Sequence, residues 1–260
     1  MPDDTLLTAS DVSRRFGGLT AVDRASIALV RGEVHAVIGT NGAGKSTLVN
    51  VLSGEIAASS GRVHLHGRDV THWPQPRRSR AGIGRSYQRT TIFRNATVFE
   101  NCRLAAQAHF QHPLDLWTRA QRCPQSREQA EQAIEQAGLT AQAQRVAGTL
   151  SHGQKRQLEI AMCLATAPTV LLLDEPLAGI GPDETERMLA LLAGLKRGRA
   201  VLLVEHDMDA VFRIADRITV MVNGTVIASA EPGAIRGNAA VQAAYLGDSC
   251  EPMTALPANA

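Results

Sequence analysis

The chain has 260 residues, a net charge of +2 and only 3% aromatic residues. This composition argues against a protein that binds nucleic acid through a basic surface or stacked bases. Hydrophobic residues make up 44%, enough for a packed core, but no apolar run reaches the roughly 18 residues of a membrane-spanning helix. The N-terminus lacks the basic region of a secretory signal, and the scattered cysteines are typical of reduced cytosolic proteins.

The first predicted elements are strands, over residues 6–13 and 25–30, with a turn between them. A third apolar run at 34–38 predicts a buried strand, and the helical spacing at 45–52 predicts a helix. The stretch that joins these two has the pattern G-x-x-x-x-G-K-S. Strand, glycine-rich loop and helix are the context in which this pattern forms a phosphate-binding loop.

Each residue type in this loop has a chemical role toward a nucleotide. The glycines let backbone N–H groups approach a phosphate, and the start of the helix adds unpaired amides and a positive end. We expect Lys45 to bind the β- and γ-phosphates, Ser46 to bind Mg²⁺ and Thr47 to donate to the α-phosphate. The predicted nucleotide-binding residues are Gly39, Thr40, Asn41, Gly42, Ala43, Gly44, Lys45, Ser46 and Thr47.

Two features around the loop leave alternatives open. Phe16, upstream of the loop, either stacks on an adenine face or takes part in ordinary hydrophobic packing. After a predicted strand at 61–66, the segment 74–81 contains three arginines and predicts a solvated face. Contact of this segment with an acidic lipid or a partner loop is the less common interpretation.

Helical patterns dominate the middle of the chain. Thr97 and Glu100 have the spacing of a capping box, and Gly138 and Pro168 are helix-ending signals. We therefore predict a helical insertion, at about 95–165, between two parts that contain strands. The predicted helices lie at 98–108, 126–137 and 151–165.

Two apolar runs near residues 170 and 200 predict buried parallel strands, and both end in polar residues. We expect Asp174 to hold Mg²⁺, Glu175 to act as the general base toward an attacking water, and His206 to hydrogen-bond the γ-phosphate. The remaining predicted elements are strands at 170–173 and 200–204, helices at 183–195, 208–215 and 239–245, an Asn-Gly hairpin over 217–229, and a loose tail from 248.

A second anion site is predicted where the third inserted helix begins. Ser151 is a natural N-cap, and Gly153 allows an anion to approach the helix start, followed by Gln154. A single chain has little use for two sites on one triphosphate. Two chains that face each other head to tail explain both, because each helix start would then cap the nucleotide of the other chain.

The order of these motifs resembles that of the ATP-binding subunits of ABC transporters. The resemblance rests on the phosphate loop, Gln88, the LSHGQ stretch at 150–154, Asp174-Glu175 and His206, and it covers nearly the whole chain. It implies an α/β fold: a RecA-like P-loop NTPase core with an antiparallel β subdomain and an inserted α-helical subdomain. The implied ATP-binding domain spans 1–247, with its helical subdomain at about 89–165, and is followed by a flexible tail at 248–260.

The resemblance also implies cofactors and further site residues. ATP and Mg²⁺ are the expected cofactors, with Ser46, Gln88 and Asp174 as metal ligands. Gln88 would link Mg²⁺ to the helical subdomain and the membrane partner, and Phe16 would stack on adenine. Glu175, His206 and Lys45 would carry out hydrolysis, and Ser151, Gly153 and Gln154 would contact the nucleotide of the facing chain.

Shorter stretches resemble one branch of this family, the branched-chain amino acid importers, with the urea/amide importers as close relatives. The sequence departs from the common family form at His152, where glycine is usual, and at Gly181, where many relatives have an aspartate that couples the two sites. The stretches that resemble the branched-chain amino acid importers are 16–22, 97–101, 156–161, 178–182 and 244–247.

The resemblance implies an ATPase that powers an importer from the cytoplasmic side of the inner membrane, as a peripheral subunit. Its expected partners are separate transmembrane permease subunits, a second ATP-binding subunit that is a copy or a sister chain, and indirectly an extracytoplasmic solute-binding protein, with no nucleic acid. The alternatives are the motor of another ABC system, such as lipid or lipopolysaccharide export, and a non-transport ABC ATPase.

Overall fold

The computed structural model describes residues 4–87, 91–110 and 123–246. The predicted strands at 6–13, 25–30 and 61–66 are confirmed, and the first two extend to the tight turn that joins them. They form an antiparallel sheet in the order β2-β1-β4-β5. Its strands are β1 (Thr5–Phe16), β2 (Leu19–Val30), β4 (Ser60–Leu65) and β5 (Arg68–Asp69).

A second sheet has the strand order β10-β9-β3-β8-β7-β6, in which β10 alone pairs antiparallel. The hairpin of β9 and β10 turns at Asn223 and Gly224, whose φ angles of 48° and 83° suit the Asn-Gly turn predicted there. Its strands are β3 (Val34–Gly39), β6 (Ile83–Arg85), β7 (Val170–Asp174), β8 (Ala200–Val204), β9 (Arg217–Val222) and β10 (Thr225–Ala230).

The helices agree with the predicted ones, and α2 and α8 are short additions. Three of them, α3 to α5, lie between β6 and β7 in the chain, as the predicted helical insertion requires. The limits of this subdomain at 89 and 165, and the division at 247, stay predictions. The helices are α1 (Lys45–Ser53), α2 (Gln75–Arg80), α3 (Val98–Phe110), α4 (Pro124–Gln136), α5 (His152–Leu164), α6 (Pro182–Leu195), α7 (Met208–Ile214), α8 (Pro232–Arg236) and α9 (Ala239–Leu246).

The parallel strands are apolar throughout because both of their faces are covered. Leu171 and Leu203 belong to a core cluster shared with α3 to α6, whereas Leu172 and Leu202 belong to a cluster shared with α1 and the antiparallel sheet. Adjacent residues of one strand therefore face different layers. This packing places the carboxyl ends of β3, β8 and β7 side by side.

The arginine-rich segment lies on α2, and the prediction of a solvated face is wrong for Arg78. Its side chain is buried, and its guanidinium donates to the carbonyl oxygens of Val51 and Leu52 at 2.8 Å each. It also donates to the carbonyls of Thr71 and Trp73. Arg78 thus caps the last turn of α1, where unpaired carbonyls and the negative end of the helix dipole attract a cation.

Candidate functional site

The loop between β3 and α1 has a backbone that requires glycine. Gly42 and Gly44 have φ angles of 79° and 95°. A Cβ atom on Gly39 would lie 2.2 Å from the Met221 carbonyl oxygen, and one on Gly44 would lie 2.3 Å from that of Ala21. Neighbouring strands approach the loop this closely only because side chains are absent, and the predicted strand, loop and helix are all present.

Lys45 holds its ammonium group over the same loop. Its Nζ donates to the carbonyl oxygens of Gly39 at 2.7 Å and Thr40 at 3.0 Å. Burial lowers the pKa of Lys45, while the nearby carboxylates of Glu175 and Asp174 raise it. The fold therefore brings the lysine of the phosphate loop beside the acids that follow β7.

Asp174 is buried at the end of β7. Its backbone N–H donates to the Ser86 hydroxyl at 3.2 Å. Burial, followed by the charge of Glu175, raises the pKa of Asp174. The opposing causes, in decreasing order, are Arg85, Lys45 and a hydrogen bond from the Ser46 hydroxyl. The predicted metal ligands Ser46 and Asp174 are thus in direct contact.

The donor set at this point fits Mg²⁺. Among the described residues, the buried Oδ1 of Asp174 has no hydrogen-bond partner. A carboxylate oxygen without a partner, beside a hydroxyl, offers the hard oxygen ligands that Mg²⁺ prefers. Gln88, the third predicted ligand, lies outside the described residues.

Glu175 has a strained backbone. Its φ is 50°, in the left-handed region that costs an ordinary L-residue about 1–2 kcal/mol. Its N–H donates to the carbonyl of Val204 on β8 at 2.9 Å. Strain of this kind collects at functional positions and persists where the surroundings hold it in place. The half-buried Glu175 carboxylate is therefore set by the contact between β7 and β8.

His206 follows β8, and β8 lies between β3 and β7 in the sheet. The predicted neighbourhood of the phosphate loop, Asp174-Glu175 and His206 is thus correct. The imidazole is 63% exposed, so a ligand can reach it, and its Nδ1 lies 3.9 Å from a carboxylate oxygen of Glu205. The role of His206 at a γ-phosphate stays a prediction.

The start of α5 has the predicted cap. The Ser151 hydroxyl accepts from the backbone N–H of Gln154, whose side chain accepts from the N–H of Ser151. The same hydroxyl donates to Glu184 of α6 at 2.7 Å, and a Cβ on Gly153 would lie 2.5 Å from that carboxylate. Within the part of the chain that the structure describes, no hydrogen bond joins Ser151 to the phosphate loop. The side chain of Ser151 contacts α5 and α6, and an anion site at this helix start stays a prediction.

Phe16 lies at the end of β1 and is 45% exposed, so it is not a core residue. The Arg14 guanidinium lies 4.5 Å from the centre of its ring. Its hairpin partner β2 contains Ala21, whose carbonyl touches the phosphate loop at Gly44. Phe16 is thus not part of a core cluster, and stacking on adenine stays a prediction.

Sequence reasoning missed two carboxylates at the site, Glu184 and Glu205. Glu205 is visible in the sequence as an acid directly before His206, but its burial and partners are tertiary. Glu184 lies in the first turn of α6 and looks like an ordinary dipole-compensating acid. Only the packing of α6 on α5 shows that it contacts Ser151.

The sequence comparisons agree with this geometry. The family model described as ABC transporter matches residues 22–178, and the chain belongs to that family. It is an ATP-binding subunit of the ABC class of ATPases, with the fold that the motifs predict. Within the described residues, no helix is long and apolar enough to cross a membrane.

Within this family, the chain is similar to ATP-binding proteins of branched-chain amino acid transport. The chain is 38% identical to the high-affinity branched-chain amino acid transport ATP-binding protein BraF of Pseudomonas aeruginosa, over 94% of this chain and 98% of BraF. It is 39% identical to the branched-chain amino acid transport ATP-binding protein LivG of Salmonella typhimurium, over 94% of this chain and 98% of LivG. The chain is also similar to the crystal structure of MJ1267, an ATP-binding cassette of an ABC transporter, in its ADP conformation. The TM-score is 0.83 and the sequence identity 31%, and the match covers 94% of this chain and 99% of MJ1267.

Proposed function

We propose that the chain binds and hydrolyses ATP to power an importer of branched-chain amino acids or related small polar or amide solutes. One observation carries the proposal of ATP hydrolysis: Lys45 and Ser46, which follow β3, lie beside Asp174 and Glu175 at the carboxyl end of β7. The substrate class is supported by the names of the relatives, which are similar over nearly their whole length.

Different residues of the site bind the nucleotide, hold the metal ion and accept a proton. Backbone N–H groups of the loop and Lys45 bind the phosphates, and Phe16 stacks on adenine. Ser46, Asp174 and Gln88 would hold Mg²⁺, which when bound neutralises charge on the β- and γ-phosphates. Glu175 accepts a proton from the attacking water.

His206 completes the site by donating a hydrogen bond to the γ-phosphate. It reaches the ligand from β8, between the loop and the acids. A donor fixed at this point stabilises charge that develops on the transferred group.

Two chains, identical or sister, enclose two nucleotides. The start of α5 in one chain, with Ser151, Gly153 and Gln154, caps the triphosphate held by the other chain's loop. His152 and Gly181 depart from the usual family residues next to this contact, so the coupling between the two sites differs from that of most relatives. Closure of the pair transmits force near Gln88.

The partners are separate transmembrane permease subunits, and indirectly an extracytoplasmic solute-binding protein. The chain acts as a peripheral subunit on the cytoplasmic face of the inner membrane. Cargo never contacts it.

The experiment is a capture from solubilised native membranes with the tagged Glu175→Gln chain, ATP and Mg²⁺. Multi-spanning proteins should be recovered, and the complex assembled with the wild-type chain in proteoliposomes should take up labelled leucine when ATP is supplied on the chain's side. Lys45→Ala serves as the control, because it should not close on ATP. Recovery of ribosomes or soluble proteins alone would contradict the role in a transporter. Uptake only of a solute outside the branched-chain amino acids and related small polar or amide solutes would contradict the proposed substrate class.

A further inference from the structure

A buried carboxylate that the proposed mechanism does not use lies between its two catalytic residues. Glu205 directly follows β8, and its side chain is 1% exposed. Its Oε1 accepts from the backbone N–H of Leu177 at 2.8 Å, and its Oε2 accepts from that of His206 at 3.3 Å. One side chain thus joins the loop after β7 to the loop after β8.

The first of these loops carries the strain at Glu175. The N–H of Glu175 is held by Val204, and its carbonyl accepts from Ala178 at 3.2 Å. Leu177 lies two residues beyond Glu175, so its bond to Glu205 closes the same turn from the other side. A left-handed residue without these bonds would relax toward ordinary backbone angles, since strain persists only where neighbours over-determine it.

The second loop carries His206, whose backbone N–H is bound by the carboxylate one residue before it. The His206 ring is exposed, and its Nδ1 lies 3.9 Å from the same carboxylate, so Glu205 is close to both the backbone and the ring of His206. We propose that Glu205 is a positioning residue for ATP hydrolysis, which sets the backbones of Glu175 and His206 relative to each other through two hydrogen bonds. This inference rests on the proposed roles of those two residues.

A carboxylate suits position 205 because its side chain accepts hydrogen bonds from two backbone N–H groups. It has two oxygen acceptors, whereas a glutamine amide would turn its NH₂ group toward one of the two N–H donors. Burial raises the pKa of Glu205, with the hydrogen bonds from Leu177 and His206 opposing this. The fold therefore keeps an acid where burial disfavours its charge, as expected for a group with a role beyond packing.

The test measures steady-state hydrolysis by the full chain for Glu205→Gln and Glu205→Met. Glu205→Gln keeps the shape and loses one acceptor, so kcat should fall about tenfold with KM for ATP unchanged. Glu205→Met loses both acceptors and should lower kcat about a hundredfold. Binding of a fluorescent ATP analogue should match wild type in both, because the phosphate loop is untouched.

Asp216→Asn is the matched control. Asp216 also accepts a backbone N–H, that of Val34 at 2.8 Å, and it pairs with Lys196, but it lies at the opposite, amino-terminal end of the parallel strands. It should lower stability and leave kcat and KM unchanged. A folded Glu205→Gln variant with wild-type kcat, or a rise in KM at constant kcat, would overturn the positioning role.

The parallel assay of Glu175→Gln separates the two ideas. Full turnover by Glu175→Gln would contradict the proposed role of Glu175 as proton acceptor, on which this inference rests. An inactive Glu175→Gln beside a fully active Glu205→Gln would contradict only the role of Glu205. If Glu205→Met does not fold, the kcat of Glu205→Gln alone tests the positioning role of Glu205.

Discussion

At the residue scale, Lys45 is the only group of the phosphate loop with a full charge. Its ammonium already spans two loop carbonyls and faces two carboxylates, so its removal leaves the acids to repel a triphosphate. Lys45→Ala should weaken ATP binding by about a hundredfold, because a charged hydrogen-bond donor is removed from a partly buried site. Calorimetric titration measures this, with Lys196→Ala as the control, and equal affinities would contradict the phosphate-loop assignment.

Glu175 gives the sharpest prediction about chemistry. Glu175→Gln keeps size and removes the proton acceptor, so hydrolysis should fall by about 10² or more while ATP still binds. The variant should also accumulate a dimer in ATP, because the closed pair cannot hydrolyse its nucleotide. Size-exclusion chromatography and a phosphate-release assay detect these effects. A normal rate of phosphate release would mean that another group accepts the proton.

At the element scale, we expect the contact between α5 and α6 to oppose closure of the proposed pair. The Ser151 hydroxyl has one hydrogen and donates it to Glu184, yet a phosphate of the facing chain would need the same hydrogen. The Glu184 carboxylate would also repel that phosphate. In a Glu175→Gln background, Glu184→Gln should tighten ATP-dependent dimerisation several-fold.

The neighbouring Asp183→Asn is the charge-matched control for this prediction, because Asp183 is exposed and in the same turn. Sedimentation equilibrium with ATP measures both variants. Equal dimer affinities for Glu184→Gln and Asp183→Asn would mean that Glu184 does not compete with the phosphate.

The helix α1 depends on a residue that lies far from its phosphate-binding end. Arg78→Met should lower the free energy of unfolding by about 3 kcal/mol or more, because four carbonyl oxygens lose their donor in a buried place. Urea denaturation measures this loss. The exposed Arg80→Met on the same helix should cost little, and equal losses would contradict the capping role.

At the scale of the whole molecule, His35 makes stability depend on pH. It is 2% exposed, with Nδ1 next to the Ala28 carbonyl and Nε2 next to the Thr219 hydroxyl. These partners suit the neutral ring, which donates from Nδ1 and accepts at Nε2. Burial lowers the pKa of His35 to about 4, well below the ordinary value of 6.5.

The unfolded chain therefore binds the His35 proton more readily between pH 6.5 and about 4. This contribution to stability is complete above pH 6.5 and is lost on acidification to about 4, by up to about 3 kcal/mol. Urea denaturation across this range should show a steeper pH dependence for wild type than for His35→Gln. Equal slopes would contradict the prediction, and the exposed His72→Gln should retain the wild-type slope.

The sequence by itself determined the parts of this protein that depend on residues close together in the chain. Glycines that permit unusual backbone angles identified the phosphate loop, the N-cap residue Ser151 identified the start of α5, and apolar runs identified the buried strands. These signals are local, because caps, turns and periodicity arise within a few residues. The fold class followed from the resemblance of their order to that of ABC transporter ATP-binding subunits.

Only the tertiary structure decided which groups meet across the chain. The sheet order placed β8 between β3 and β7 and so brought His206 to the acids. The packing of α2 on α1 buried Arg78, and that of α6 on α5 gave Ser151 a carboxylate partner. Glu205 became a link between two loops for the same reason. Such contacts join residues far apart in sequence, and their energies depend on burial and on partners that no local pattern specifies.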